Sequence, residues 1–324
     1  MRRSLAVVAL ALVMALLVAV PPLARALDQP FYVTLVGRIM IWAIAALSLN
    51  LILGYGGMVS FGHAAYLGVG VYTVGILSAH GIGNGYVQWP LAVAASAIVA
   101  LGVGAVSLRT SGVYFIMITL AFAQMLYFLG VSLKAYGGDD GMTLAARSRF
   151  GDWLDLEDNV VFFYLVLAVL VAFHALAARL VNARFGLVVQ GVRVNERRMR
   201  AIGFPTYRYK LAAFVIAGAM CGVAGVLLVN FTKYVSPAFM HWTRSGEIMV
   251  MVILGGMGTL LGPALGAAVF LLLEEVLSGY TEHWALVLGP VLIAIVLFAR
   301  RGLAGILERG RAAPTAGHQR PEPT

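Results

Sequence analysis

The chain has 324 residues, of which 61% are hydrophobic and 11% charged, with a mean hydropathy of +0.91. Soluble domains carry about a quarter charged residues, and disordered chains are poor in apolar ones, so both classes are excluded. The net charge of +9 does not signal a nucleic-acid partner, because no soluble basic surface remains once the apolar runs are set aside.

These numbers describe an all-α polytopic membrane protein, with room for about ten crossings at ~20 residues each. Met1–Arg3 precede the apolar run Leu5–Val20, and Ala24-Arg25-Ala26 resembles a small-residue cleavage site. The run continues through Pro21-Pro22-Leu23, so residues 1–30 are expected to hold an uncleaved membrane helix at Ser4–Leu23. Further spans are expected at Tyr32–Leu53, Met58–Ser78, Trp89–Leu108, Val113–Leu133 and Val160–Leu180. The series continues with Tyr209–Asn230, a short Glu247–Leu261, Pro263–Ser278 and His283–Ala299.

Charge sets the orientation. Starting the N-terminus inside places Lys134–Asn159 outside, with Asp139, Asp140, Asp152, Asp155, Glu157 and Asp158. It places Val181–Arg208 inside, where arginine is almost the only charge. Ten crossings also return the arginine-rich tail, residues 300–324, to the inside as a disordered segment, so three counts agree with the positive-inside rule. Residues 31–299 then form one transmembrane domain, with 181–208 as its main cytoplasmic loop. Both termini are expected in the cytoplasm.

Three glycine-rich stretches interrupt the apolar pattern. Gly54-Tyr55-Gly56-Gly57 closes the second span, and Ser60, His63 and Tyr66 follow it. Leu254-Gly255-Gly256-Met257-Gly258-Thr259 leads to Gly262-Pro263, which suits the first turn of a new helix. Gly218, Gly222 and Gly225 give the seventh span a small-residue face. The first two strings resemble each other and hint at two related halves, roughly 31–133 and 209–299. Asn50, Ser60, His63, Tyr66, Thr119 and Gln124 are polar groups within apolar spans and need partners or water. With Gly57, Gly255 and Gly256, they are candidates either for lining a translocation path or for helix packing.

In the arginine-rich loop, Asn195 can cap a short helix over Glu196–Ile202, with Gly203 as a left-handed stop and Pro205 blocking continuation. Glu196 and Arg200 are spaced to pair, while Met199 and Ile202 give a small apolar ridge. Such a helix suits a groove on a cytoplasmic partner. Arginine flanks equally suit anionic lipid headgroups.

Leu49–Gly57 with Ser60–Gly68, Gly137–Gly141, Gly191–Pro205, Lys210–Gly225 and Leu254–Gly266 together resemble the branched-chain amino-acid ABC transporter permeases, specifically the longer permease subunit. The similarity covers about residues 30 to 300. Met58 departs from the commonest pattern, which has glutamine there. The resemblance implies a type II importer fold in a bacterial inner membrane. It implies coupling to ATPase subunits through Asn195, Glu196, Arg197, Met199, Arg200, Ile202 and Gly203. It further implies a second permease, two cytoplasmic ATP-binding subunits and an external solute-binding protein, with Asp139 and Asp140 as candidates for its docking.

The chain itself is not expected to be an enzyme or to hold a cofactor. Its lysines, Lys134, Lys210 and Lys233, lie in no phosphate-binding Gly-x4-Gly-Lys loop. His63, a histidine inside a mid-chain span without a nearby acid or second ligand, makes neither a catalytic nor a metal site. The rival reading is an ion-coupled carrier, which would draw on Glu247, Glu274 or Glu275.

Overall fold

The computed structural model describes residues 2–151, 154–280, 283, 286–290, 292–293 and 302–303, with residues 2–13 as backbone. Ten helices follow in chain order among these residues. They are α1 (Arg2–Ala26), α2 (Phe31–Asn50), α3 (His63–Ala79), α4 (Gly85–Ser107) and α5 (Val113–Ser132), then α6 (Asn159–Asn182), α7 (Arg184–Ala201), α8 (Thr206–Thr232), α9 (Trp242–Gly255) and α10 (Gly262–Tyr280). Six segments are long and apolar enough to cross a membrane: α2 with its continuation to Tyr55, α4, α5, α6, α8 and α10. The chain is a multi-pass helical membrane protein.

Each of the first nine expected spans overlaps a helix, and α7 forms the arginine-rich connection. The tenth, His283–Ala299, and the tail 300–324 lie mostly outside the described residues. Two boundaries need correction. The third span was expected from Met58, but α3 starts at His63, because Gly57 has φ +69 and residues 57–60 are irregular. The eighth was expected at Glu247–Leu261, but α9 is Trp242–Gly255. Gly256 ends it at φ +120, which side-chain-bearing residues rarely adopt. The starts of α4 and α6 carry side-chain caps: Asn84 accepts from the Tyr86 amide at 2.9 Å and Asp158 from the Val160 amide at 2.8 Å.

Helices α2 and α8 form the buried centre, and α5 is largely exposed along its length. The glycines of α8 let backbones meet without intervening side chains. A Cβ at Gly225 would collide with the Leu67 carbonyl of α3, and one at Gly218 with Ala100 of α4. Two two-residue strands qualify the all-α expectation. β1 (Met142–Thr143) pairs antiparallel with β2 (Tyr234–Val235), tying the loop after α5 to the end of α8.

Arg147 fixes that loop further. It is 8% exposed and donates to the carbonyls of Asn230 (2.8 Å) and Leu156 (2.6 Å) and to Asn159 Oδ1 (2.8 Å). Ser148 donates to Gln88 Oε1 at 2.6 Å, and its amide donates to Asn230 Oδ1 at 2.7 Å. Lys233 pairs with Glu157 at 2.6 Å, and this hydrogen bond, with one from the Arg147 amide, holds the Glu157 carboxyl below its usual range. The buried Arg147 and Ser148 side chains thus find partners within the loop or on α4, α6 and α8.

Candidate functional site

The α2 helix ends in a π-helical turn at Leu51–Tyr55, and non-helical backbone then folds back beside it. His63, the first residue of α3, bonds Ser48 at 2.8 Å, about two turns before that end. Residues 56–62 therefore lie within the bundle as irregular chain, an arrangement tolerated at membrane depth only where protein or a cavity surrounds it. The start of α9 meets the start of α3, with the Ala64 amide donating to Ser245 Oγ at 2.9 Å.

The two glycine-rich strings meet each other. Asn50 Oδ1 accepts from the Gly258 amide at 2.9 Å, and its Nδ2 donates to the Thr259 carbonyl at 2.8 Å. A Cβ at Gly54 would lie 2.5 Å from the Gly258 nitrogen, so these backbones are in direct contact. Gly255 and Gly266 serve the α9–α10 crossing in the same way: a Cβ at Gly255 would strike the Gly262 carbonyl, and one at Gly266 the Met251 carbonyl. The strings differ in one respect: Met58 is buried at 7% exposure and Met257 is open at 47%.

The other polar candidates sit in the interior. Ser60, His63, Tyr66 and Thr119 have no exposed surface. Ser60, inside the expected third span, lies before α3 and accepts from the Gly62 amide. Tyr66 packs edge-on against His63 and Phe214, and its carbonyl accepts from Ser96 Oγ at 3.1 Å. Thr119 accepts from the Phe61 amide at 3.3 Å, whereas Gln124 keeps a buried Oε1 without a partner. Among the described residues no group of side chains could hold a metal. Glu247 pairs with Arg244 at 2.7 Å, and Arg38 reaches Glu274 at 2.8 Å and Glu275 at 4.0 Å.

In α7, Asn195 has extended backbone (φ −158, ψ 96) and breaks the helix in two. Its Oδ1 accepts from the Arg198 amide at 2.9 Å, the third residue of the short second segment. That segment ends at Gly203 (φ +92), whose amide bonds Arg200 while the Phe204 amide bonds Met199, a Schellman stop. Glu196 anchors it. The carboxylate receives Arg200 at 2.6 Å, Lys210 at 2.9 Å and Thr206 Oγ1 at 3.0 Å. Burial pushes Glu196 upward, but the Lys210 and Arg200 hydrogen bonds outweigh it and leave the carboxyl below its usual value.

Arg197 and Arg198 are exposed, and Ile202 is 63% exposed. Met199 is less open than Ile202, the other half of the expected apolar ridge. It turns onto Gly191 of the first segment, whose missing side chain makes the space.

Three contributors escaped the sequence reading: Lys210 and Thr206, which face Glu196 from the base of α8, and Arg193. Arg193 Nη1 donates to the Gly54 carbonyl in the π-helical turn. It reads as one more positive loop charge until the fold places it. At the opposite end of the bundle Asp139 and Asp140 are exposed beyond Gly137 and Gly138, both at positive φ, and the Asp140 carbonyl accepts from Tyr234 Oη. A cleft of about 770 Å³ is lined by Asn84, Thr143, Arg147 and Arg149 among others, from the loop that follows Asp140 and the end of α3.

A multi-pass bundle with interrupted helices meeting on glycine backbones, and a separately capped helix on one connection, is the build of a membrane transport subunit. The family model of the branched-chain amino acid transport system permease component matches residues 31–297, and the chain belongs to that family. It is 29% identical over 290 residues to the high-affinity branched-chain amino acid transport system permease protein LivM of Salmonella typhimurium, covering 82% of this chain and 68% of that one. The Escherichia coli K12 LivM is 28% identical over the same coverage. The Escherichia coli K12 LivH is 23% identical over 285 residues, covering 82% of this chain and 91% of that one. No solved structure matches the chain.

Proposed function

We propose that this chain is the membrane-spanning permease subunit of an ATP-driven importer for branched-chain or closely related small amino acids. The observation that carries the reading is the capped helix Glu196–Ile202, held by Glu196 to Lys210 and Thr206 at the base of buried α8 while Arg197 and Ile202 face outward. An ion-coupled carrier has no need of such a handle. Each of its candidate carboxylates, Glu247, Glu274 and Glu275, lies beside an arginine.

In this reading a second permease lies alongside, and membrane lipid covers the remaining apolar surface, such as Tyr114, Met117 and Phe128 of α5. Two cytoplasmic ATP-binding subunits receive the segment from Asn195 to Gly203, and an external solute-binding protein docks near Asp139 and Asp140. The relatives named LivM and LivH support a pair of permeases. The family points to a bacterial inner membrane, and the unequal charges of the two large loops support residues 181–208 and both termini lying inside. A reporter fused after Asp140 should then be active only outside, and one after Arg198 only inside. Activity of both on the same side would refute this orientation.

The test of function is uptake of leucine into vesicles holding the assembled complex. Uptake should require enclosed hydrolysable ATP and the external binding protein, and should persist with a protonophore. Accumulation by this chain alone on an ion gradient would overturn the importer reading.

A further inference from the structure

We propose that Arg193 is a positioning residue that carries movement of the capped helix into the contact between the ends of α2 and α9. The inference rests on the coupling role proposed above and adds a route from that helix into the bundle.

Arg193 lies two residues before Asn195, on the last turn of the first α7 segment. Any tilt of the second segment about the Asn195 break acts first on this turn. From there the side chain reaches the π-helical end of α2 and donates to the Gly54 carbonyl. The last carbonyls of a helix lack regular partners and carry its negative end, so a guanidinium is well matched to them.

The space around the side chain is made by glycine. A Cβ at Gly57 would meet Arg193 Cγ at 2.9 Å, and one at Gly258 would meet Nη1 at 3.4 Å. Both glycines have positive φ, +69 and +76. Arg193 therefore bonds one string and lies against the other, at the place where Asn50 joins the same two strings from within α2. A planar guanidinium offers donors in several fixed directions, which a lysine ammonium does not reproduce. The side chain joins the capped helix to both broken ends at once.

The experiment uses the assembled complex in vesicles, with Met257→Cys as a reporter of the contact. Met257 is 47% exposed, and the native Cys221 is fully buried, so background labelling is low. The rate of labelling by a polar maleimide is compared without nucleotide and with a non-hydrolysable ATP analogue. In the parent it should change by at least about fivefold, the lower end of typical coupling between sites, and the change should fall below about twofold when Arg193→Ala is added. Arg193→Lys should restore part of it, since one carbonyl contact remains within reach. Basal ATP hydrolysis should be unchanged in both, because the docking segment starts beyond Arg193.

Where Arg193→Ala does not assemble, Arg193→Gln keeps a neutral donor and is read in the same way. An undiminished nucleotide response in an assembled Arg193 variant overturns the inference. So does a parent complex that takes up leucine with ATP yet shows no nucleotide response at Met257→Cys. A parent complex with neither property overturns the importer reading, and this inference with it.

Discussion

Replacing Gly203 by valine is expected to reduce substrate-stimulated ATP hydrolysis of the assembled transporter at least about fivefold, a typical lower bound for lost coupling. Nothing lies within 4 Å of a Cβ built there, so the effect has no steric component from neighbours. It comes from the backbone alone. Gly203 sits at φ +92, and placing a side-chain-bearing residue in left-handed backbone costs about 1–2 kcal/mol, more for a β-branched one. Relief would require unwinding the stop formed by the Gly203 and Phe204 amides on Arg200 and Met199. That would alter how Ile202 and Arg197 face a partner. Gly203→Asn, which tolerates left-handed backbone better, should retain most of the stimulation. Subunit insertion, followed by detergent extraction and size-exclusion, should be intact in both variants. Full stimulation in the inserted valine variant would sink the docking assignment.

Gly266→Val is expected to act on folding rather than on coupling. Its Cβ would fall on the Met251 carbonyl oxygen and 2.7 Å from the Gly255 nitrogen, both backbone atoms. Overpacking against movable side chains costs about 1–3 kcal/mol, and here no side chain can yield, so α9 and α10 must separate. Their separation would also dislodge Gly255 and the Asn50 contact with Gly258 and Thr259. We expect almost no monodisperse protein from Gly266→Val by fluorescence-detected size exclusion. Gly102→Val, at an exposed position with nothing within 4 Å, should behave as the parent. Equal yields from the two variants would show that the α9–α10 crossing is not close-packed in the membrane.

Much of the helical layout is legible in the residues because lipid imposes a simple requirement, a run of apolar side chains long enough to span. The capped helix was equally legible. Asn195, Gly203 and Pro205 are local signals whose effect on the backbone does not depend on distant neighbours. The failures share a cause. The late start of α3 and the shifted α9 depend on Gly57 and Gly256 adopting positive φ, and composition shows only that they are able to do so. Met199 turns inward because Gly191 leaves space for it, a relation between two segments that periodicity does not encode. Ser60 and His63 were legible as polar groups needing partners, but Gly62 and Ser48 emerge as those partners only from the fold, and the Tyr66 hydroxyl stays buried without one. Arg193 and Arg147 are indistinguishable in sequence from loop arginines, yet one reaches a helix end and the other is buried.

The binding of Arg147 at the other end of the bundle has a kinetic consequence. Flexible loops that order on association pay an entropic cost, and that cost weakens or slows the encounter. Here residues 142–149 are already tied by Arg147, Ser148 and the short sheet to α4, α6 and α8 before any partner arrives. A protein landing on this end meets a preformed relief, and neither its arrival nor its departure waits on refolding of the loop. That lowers the entropic cost of the encounter and lets it proceed without a folding step.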